Sequence, residues 1–414
     1  MQIVVSRCAA LDVHKDTVMA CVRVPGADGR REQQVREFRT FTAGLRRLRE
    51  WLAGCAVSQV AMEATGVYWK PVWHVLETEP SFELLLVNAH HVKNVPGRKT
   101  DVSDAVWLCQ LLECGLLRGS FVPPRQIAEL RDLTRYRSRL TEERTRETQR
   151  VQGLLEDAGI KLDSVVTDVL GKSARAMLEA LLAGERNVAV LAELAQTRMR
   201  PKIPELRLAL EGGFGEHHAL RLRMHLTHVD QLTMMIEELD ARIDQAIAPF
   251  RRQVDRLMTI PGVGERTAEV ILAEIGVDMT RFPTAGHLAS WAGMCPGNHE
   301  SAHKRRSGKA RKGNAALRAA LCEAAWAATH TKGYLGARYR HLLRRFGKSG
   351  QAKASFAVGH TILVIAWHLL ASDRDYEDLG GDYFTRRTDA EARKRYLIRQ
   401  LEELGTKVTV EPAA

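Results

Sequence analysis

The seven cysteines of this 414-residue chain include no Cys-x-x-Cys pair, and their odd number argues for reduced thiols in a cytoplasmic protein rather than a disulfide framework. Cys109 and Cys114 read as helix-packing residues. A membrane span is also missing, because the longest apolar run, Phe356 to Leu370, is interrupted by His360 and His368 and reads as a buried helix. Met1 to Arg7 is too short for a secretory leader and is broken by Arg7. There is no internal repeat and no long low-complexity tract. Acidic residues are scarce in one place: from Pro296 to Lys353, fourteen Lys and Arg face only Glu300 and Glu323. That segment alone accounts for the net charge of +11.

A concentrated basic face is the electrostatic signature of phosphate binding, since each neutralised phosphate releases counterions. The alternative for any charge run is a solvated face, but such faces mix both signs. Upstream, Ile260-Pro261-Gly262-Val263-Gly264 precedes an apolar helical pattern ending at Ile275, the hairpin of a helix-hairpin-helix element. There Gly262 and Gly264 would let the turn approach a DNA phosphate, with the amides of the next helix behind it. A plain interhelical turn is the competing reading.

Four acids carry the chemistry. Asp12 sits near the end of an apolar run, Ala9 to Val13, before a polar turn and a second run, Thr17 to Val24, which predicts two antiparallel strands. Glu63 follows the buried run Val60-Ala61-Met62 and precedes Ala64-Thr65-Gly66, a strand ending in a break. Asp101 and Asp104 open a helix through Leu112 and, three residues apart, share one face. Strand, strand and helix deliver carboxylates in the order of a ribonuclease-H-like nuclease, whose two-metal chemistry needs several of them around Mg²⁺ ions roughly 3.5–4 Å apart. Individually, each acid has an ordinary reading too, as a turn former, a strand-end acid, a helix cap or a first-turn charge.

The middle of the chain is helical. Val229, Leu232, Ile236, Leu239, Ile243 and Ile247 step by three or four, a heptad-like stripe whose partner is either the Arg-rich helix near Arg125 to Leu155 or a second subunit. Gly171 to Gly215 reads as less regular, with breaks at Pro201, Pro204 and Gly212-Gly213.

Together these residues resemble the DEDD transposases of bacterial insertion sequences, the one-ten family, which includes the Piv-type DNA invertases. The matching pieces are Leu11-Asp12-Val13-His14-Lys15, Met62-Glu63-Ala64-Thr65-Gly66, Arg98-Lys99-Thr100-Asp101-Val102-Ser103-Asp104-Ala105, Ile260 to Gly264, Phe282, Leu288 to Pro296 and Arg311-Lys312-Gly313-Asn314. The resemblance spans about residues 8 to 330. It implies an α/β plus α architecture: a RuvC-like (ribonuclease-H-like) catalytic domain over 1–124 and a helical coiled-coil domain over 125–250. A mostly helical C-terminal transposase domain with the helix-hairpin-helix and serine loop would cover 251–345, and a helical extension and tail 346–414.

The implied activity is Mg²⁺-dependent cleavage and rejoining of DNA strands, with Asp12, Glu63, Asp101 and Asp104 as catalytic and metal-holding residues. Family members are similar to serine recombinases in forming a covalent DNA intermediate, and Ser301 is assigned here as that nucleophile, with Ser307 as fallback. Where the family has glycines directly after the serine, this chain has Ala302 and His303. Lys99, Lys304, Arg305, Arg306, Lys309, Arg311 and Lys312, with Gly262 and Gly264, would hold the nucleic-acid backbone. Implied partners are element-end and target DNA, a structured guide RNA and further copies of the chain as dimer or tetramer, in a bacterial, nucleoid-associated setting without a membrane. A RuvC-like endonuclease or junction resolvase without a covalent step is the alternative, and a non-catalytic nucleic-acid-binding protein is a second one.

Overall fold

The computed structural model describes residues 3–26, 30–64, 66–88, 101–296, 299–301, 304–307, 310, 312–386 and 390–409. Of these, 101–103, 299–301, 304–307, 348 and 390–393 are described by backbone alone. Lys99, Lys309 and Arg311 lie outside the described residues. The chain divides into two compact units, Met1–Val122 and Pro123–Ala414.

The first unit is a mixed five-stranded sheet. Its strands are β1 (Cys8–Val13), β2 (Thr17–Pro25), β3 (Arg31–Arg39), β4 (Gln59–Glu63) and β5 (Glu83–Val87), in the order β3-β2-β1-β4-β5. The first three form an antiparallel meander, and β4 and β5 join β1 in parallel. Alternation sorts the side chains of β1. Ala9, Leu11 and Val13 face a core shared with α1 (Thr42–Gly54) and α2 (Trp69–Leu76), while Cys8 and Ala10 face the opposite core.

That opposite core is covered by α3 (Asp101–Glu113). Ala105, Leu108, Cys109 and Leu112, at i, i+3, i+4 and i+7, are at most 3% exposed against Cys8, Ala10, Cys21 and Ala61. Burying each leucine stabilises the seat by about 2 kcal/mol. Cys109 Sγ lies 3.7 Å from Cys8 Sγ, as packing residues do. At the far end of the helix, the Glu113 carboxylate accepts from Arg23 Nε at 2.9 Å and pairs with Arg31 Nε at 2.5 Å, while its carbonyl accepts the Val4 and Val5 amides. The C-terminus of α3 is thereby held beside the start of β1.

The second unit is built on two long helices, α4 (Arg125–Asp157) and, after a small bundle, α9 (Glu216–Ile247). The bundle comprises α5 (Leu162–Val165), α6 (Lys172–Leu182), α7 (Val188–Glu193) and α8 (Ile203–Ala209). The stretch expected to be irregular therefore folds. Pro204 sits in the first turn of α8, where a missing amide costs nothing, and Leu178, Leu181, Leu191 and Leu206 share a core with Leu154, Leu155 and Leu222. Helices α4 and α9 run antiparallel, since Arg137 pairs with Asp240, Leu140 packs on Leu232 and Ile236, and Glu147 bonds His225. The apolar stripe of α9 is thus buried within the chain. An oligomer seam along those residues is not what the fold builds.

The remainder packs as short helices: α10 (Arg251–Met258), α11 (Glu265–Ile275), α12 (Ala285–Trp291), α13 (Ala315–Thr329), α14 (Tyr334–Phe346), α15 (Gln351–Ser372), α16 (Tyr383–Arg386) and α17 (Ala390–Glu403). A two-stranded hairpin, β6 (His299–Ser301) and β7 (Lys304–Ser307), lies between α12 and α13. Helix α15 has the length and apolarity of a membrane span, yet Ala354, Val358, Ile362, Leu363, Ala366 and Leu369 are buried, and Trp367 Nε1 donates to the Phe282 carbonyl at 3.0 Å.

Replacing Glu113 by Ala leaves Arg23 and Arg31 without their shared counter-ion in a largely buried site. The expected loss is about 3–5 kcal/mol of stability, read as a fall in the urea midpoint. A change below about 1 kcal/mol, the size of a surface pair, would show that the clamp does not seat α3.

Candidate metal centre and nucleic-acid interface

In the first unit, sheet register places two of the predicted acids. The parallel pairing of β1 with β4 runs through Leu11 opposite Met62, so Asp12 and Glu63 occupy the next rung, side by side at the carboxyl ends of their strands. By alternation both belong to the face that carries Ala10 and Ala61, the face covered by α3. Because Cys109 lies over Cys8 and Glu113 beyond it, α3 runs antiparallel to β1 and its N-terminal turn points toward the Asp12 and Glu63 end. Asp101 and Asp104 stand in that turn, Asp104 half-buried and Asp101 described by its backbone.

Asp12 is nearly buried, with its side chain 15% exposed, and His14 Nε2 lies 3.1 Å from Asp12 Oδ2 across the β1–β2 turn. His14 belongs to the Leu-Asp-Val-His-Lys motif, which by itself assigns the histidine no role. Its partner two residues back was the available signal, since both residues flank one tight connection closed by His14 N donating to the Thr17 carbonyl at 2.9 Å.

An all-carboxylate donor set suits a hard cation such as Mg²⁺. Among the described residues, the sets of three His, Cys, Asp or Glu with ligand atoms within 4.8 Å of one another lie elsewhere: Asp157, His217 and His218, and Asp244, Glu265 and Glu269. Neither is suited to a cation. His218 Nδ1 accepts the Gly215 amide, so in the neutral ring Nε2 carries the proton and faces Asp157 at 3.3 Å. Glu269 pairs with Arg137 at 2.7 Å and Glu265 with Arg251 at 2.7 Å, so these acids already have counter-ions.

In the second unit, α10 and α11 are joined by the turn Thr259 to Gly264. Gly262 holds φ +90°, and a Cβ there would meet the Ala324 carbonyl oxygen and lie 2.7 Å from the Ala328 nitrogen of α13. Packing against α13 is enough to require this glycine. Gly264, by contrast, is the exposed N-cap of α11 with open space around it. Ser301 ends β6 directly opposite Lys304 in the hairpin register, and Ser307 ends β7 opposite His299. The residue read as a loop serine is therefore at the tip of a β-hairpin whose second strand, Lys304 to Ser307, carries Arg305 and Arg306. Lys312 is exposed beyond it.

Two family models match the chain in order. A DEDD transposase model of the IS110 type covers residues 9–160, and the model described as "Transposase IS116/IS110/IS902 family" covers 254–340. The chain is 30% identical over 258 residues to "Insertion element IS110 uncharacterized 43.6 kDa protein" of Streptomyces coelicolor, covering 56% of this chain and 61% of that protein's length. It is 24% identical over 330 residues to "Transposase for insertion sequence element IS1111A" of Coxiella burnetii, covering 78% and 81%. It is 27% identical over 185 residues to the "Pilin gene-inverting protein" of Moraxella bovis, covering 39% and 56%.

A chain with an acid-bearing α/β sheet unit and a mostly helical unit, matched in this way, is an enzyme of the transposase and recombinase class. Within that class the chain belongs to the DEDD transposases of the IS116/IS110/IS902 family.

Two glycine variants separate packing from exposure. Gly262→Ala is expected to cost about 2 kcal/mol or more from φ strain and overlap with α13, whereas Gly264→Ala should leave the thermal midpoint nearly unchanged. Equal midpoints for both variants would refute the packing assigned to Gly262.

Proposed function

We propose that this protein is an insertion-sequence transposase that cuts and rejoins DNA by transesterification, with Ser301 as nucleophile and a divalent metal, Mg²⁺, held by Asp12, Glu63, Asp101 and Asp104. The observation that carries the reading is the rung shared by Asp12 and Glu63 at the sheet end toward which the first turn of α3 points. The mixed sheet supports a RuvC-like reading of the first unit. When bound, the metal neutralises phosphate charge as the pentavalent transition state forms.

The chain's own groups divide the remaining work. Ser301 Oγ forms a bond to phosphorus while the bond to a deoxyribose oxygen breaks; the serine gives its proton to solvent, and the leaving oxygen takes one up from solvent, so the freed DNA strand ends in a hydroxyl. Attack by a DNA hydroxyl on the phosphoserine reverses these bonds and releases the serine, so the bond energy is conserved through strand exchange. Lys304, Arg305, Arg306, Lys309, Arg311 and Lys312, with Lys99, hold backbone phosphates. The open N-terminus of α11 at Gly264 supplies amides to the duplex in a helix-hairpin-helix manner. His14, hydrogen-bonded to Asp12, orients that carboxylate.

The family resemblance extends the reading to a structured guide RNA that pairs with donor and target DNA, which leaves base reading to nucleic acid rather than to side chains. It also extends to a dimer or tetramer, because strand exchange cuts several strands.

Purified protein with co-purified RNA, incubated with element-end DNA and Mg²⁺ and run on a denaturing protein gel, is expected to give a covalent protein–DNA adduct. Asp12→Asn and Ser301→Ala should each reduce it on the order of 10³-fold or more. Cleavage without adduct that survives Ser301→Ala would instead identify a resolvase-like nuclease using water.

A further inference from the structure

The motif Arg311-Lys312-Gly313-Asn314 contributes to more than a basic surface. The side chain of Asn314 has two bonds of opposite polarity: Oδ1 accepts the Leu317 amide at 3.1 Å and caps α13, and Nδ2 donates to Glu274 Oε2 at 2.5 Å. Glu274, in the last turn of α11, has no solvent exposure. Arg135 of α4 grips its carboxylate in a fork, Nε to Oε1 at 2.6 Å and Nη2 to Oε2 at 2.8 Å. Arg131, one turn earlier, donates to the Ala273 and Glu274 carbonyls at 3.1 and 2.8 Å. A forked guanidinium on a carboxylate is the most directional ion pair available to side chains.

Next to it, Gly313 touches the far end of the same segment. A Cβ at Gly313 would meet the Ala292 carbonyl and lie 2.5 Å from Gly293 N. The run from Met294 to Lys312, which carries Ser301, Ser307 and the basic residues, therefore begins and ends at one point, and that point is tied through Asn314 and Glu274 to α4.

We infer that Glu274, gripped by Arg131 and Arg135, is a positioning residue that holds the base of the serine hairpin through Asn314. The inference rests on the serine reading proposed above. It adds a route by which α4 sets the placement of Ser301. Glu274 and Asn314 touch neither DNA nor the reacting phosphate in this role; they act through the segment they anchor.

The test separates cap from tie. Serine is a good N-cap but too short to reach Glu274, so Asn314→Ser keeps the α13 cap and leaves Glu274 paired with its arginines. This variant is expected to stay folded with a modestly lowered thermal midpoint and to keep element-end DNA affinity while forming the covalent adduct roughly tenfold to hundredfold more slowly, the scale of a small misplacement of a reacting group. Trypsin should also cut it faster at Lys304 to Arg306.

Wild-type adduct kinetics in Asn314→Ser, or a rate lost only in proportion to DNA affinity, would overturn the inference. If the wild-type protein forms no adduct at all, the serine reading fails, and the tryptic rate then decides the tie alone: faster cutting supports it and unchanged cutting overturns it.

Discussion

The parallel pairing of Cys8–Val13 with Gln59–Glu63 is the constraint on which the first unit depends. A ladder of backbone hydrogen bonds fixes the height of each residue to within a fraction of the rise of one residue, about 3.3 Å, and alternation fixes its face. Asp12 and Glu63 are therefore placed together by backbone geometry, and slipping the register by one residue would send one of them into the leucine core beneath α1. The position of α3 follows from a different force, burial of Ala105, Leu108, Cys109 and Leu112 on the small residues Cys8, Ala10 and Ala61. Small side chains in the sheet let the helix approach closely, and the Glu113 clamp sets its position along its own axis.

Charge has two uses in the second unit. Helix α4 is rich in arginine, and Arg131, Arg135 and Arg137 are directed inward to Glu274, Glu269 and Asp240. Burial pushes the Glu269 carboxyl above its usual range despite Arg137, and burial likewise lowers Arg131. Such pairs cost desolvation and are strongly destabilising to break singly, which suits them to fixing how α4, α9 and α11 meet. The surplus of positive charge lies instead between Pro296 and Lys353, where sequence composition already located it.

Local signals were the legible ones. Alternation and a polar turn made β1 and β2 readable, a Gly-containing break marked the end of β4, and an apolar repeat after Asp101 marked α3. Long-range pairing was not legible. Nothing near Glu113 indicates that Arg23 and Arg31 will meet it, and the α9 stripe could not by itself distinguish α4 from a second chain. The Pro and Gly residues between 171 and 215 suggested irregularity because they end helices; they end short helices that share one core. For Gly262 the sequence suggests approach to a DNA phosphate, whereas its packing requirement comes from α13, more than fifty residues away and not legible locally. For Ser301, residue type and family motif were readable, while the hairpin that holds it depends on a pairing of His299–Ser301 with Lys304–Ser307 too short to announce itself.

The most direct measurement is iron-directed backbone cleavage, with Fe²⁺ in place of Mg²⁺ and ascorbate and peroxide generating hydroxyl radicals at the bound ion. Cuts confined to the neighbourhoods of residues 12, 63 and 101–104, competed away by Mg²⁺ and lost in Asp12→Asn, are the expected result. Cuts near Asp157 and His217, or near Asp244 and Glu265, with none beside Asp12, would contradict a metal centre at the carboxyl ends of β1 and β4.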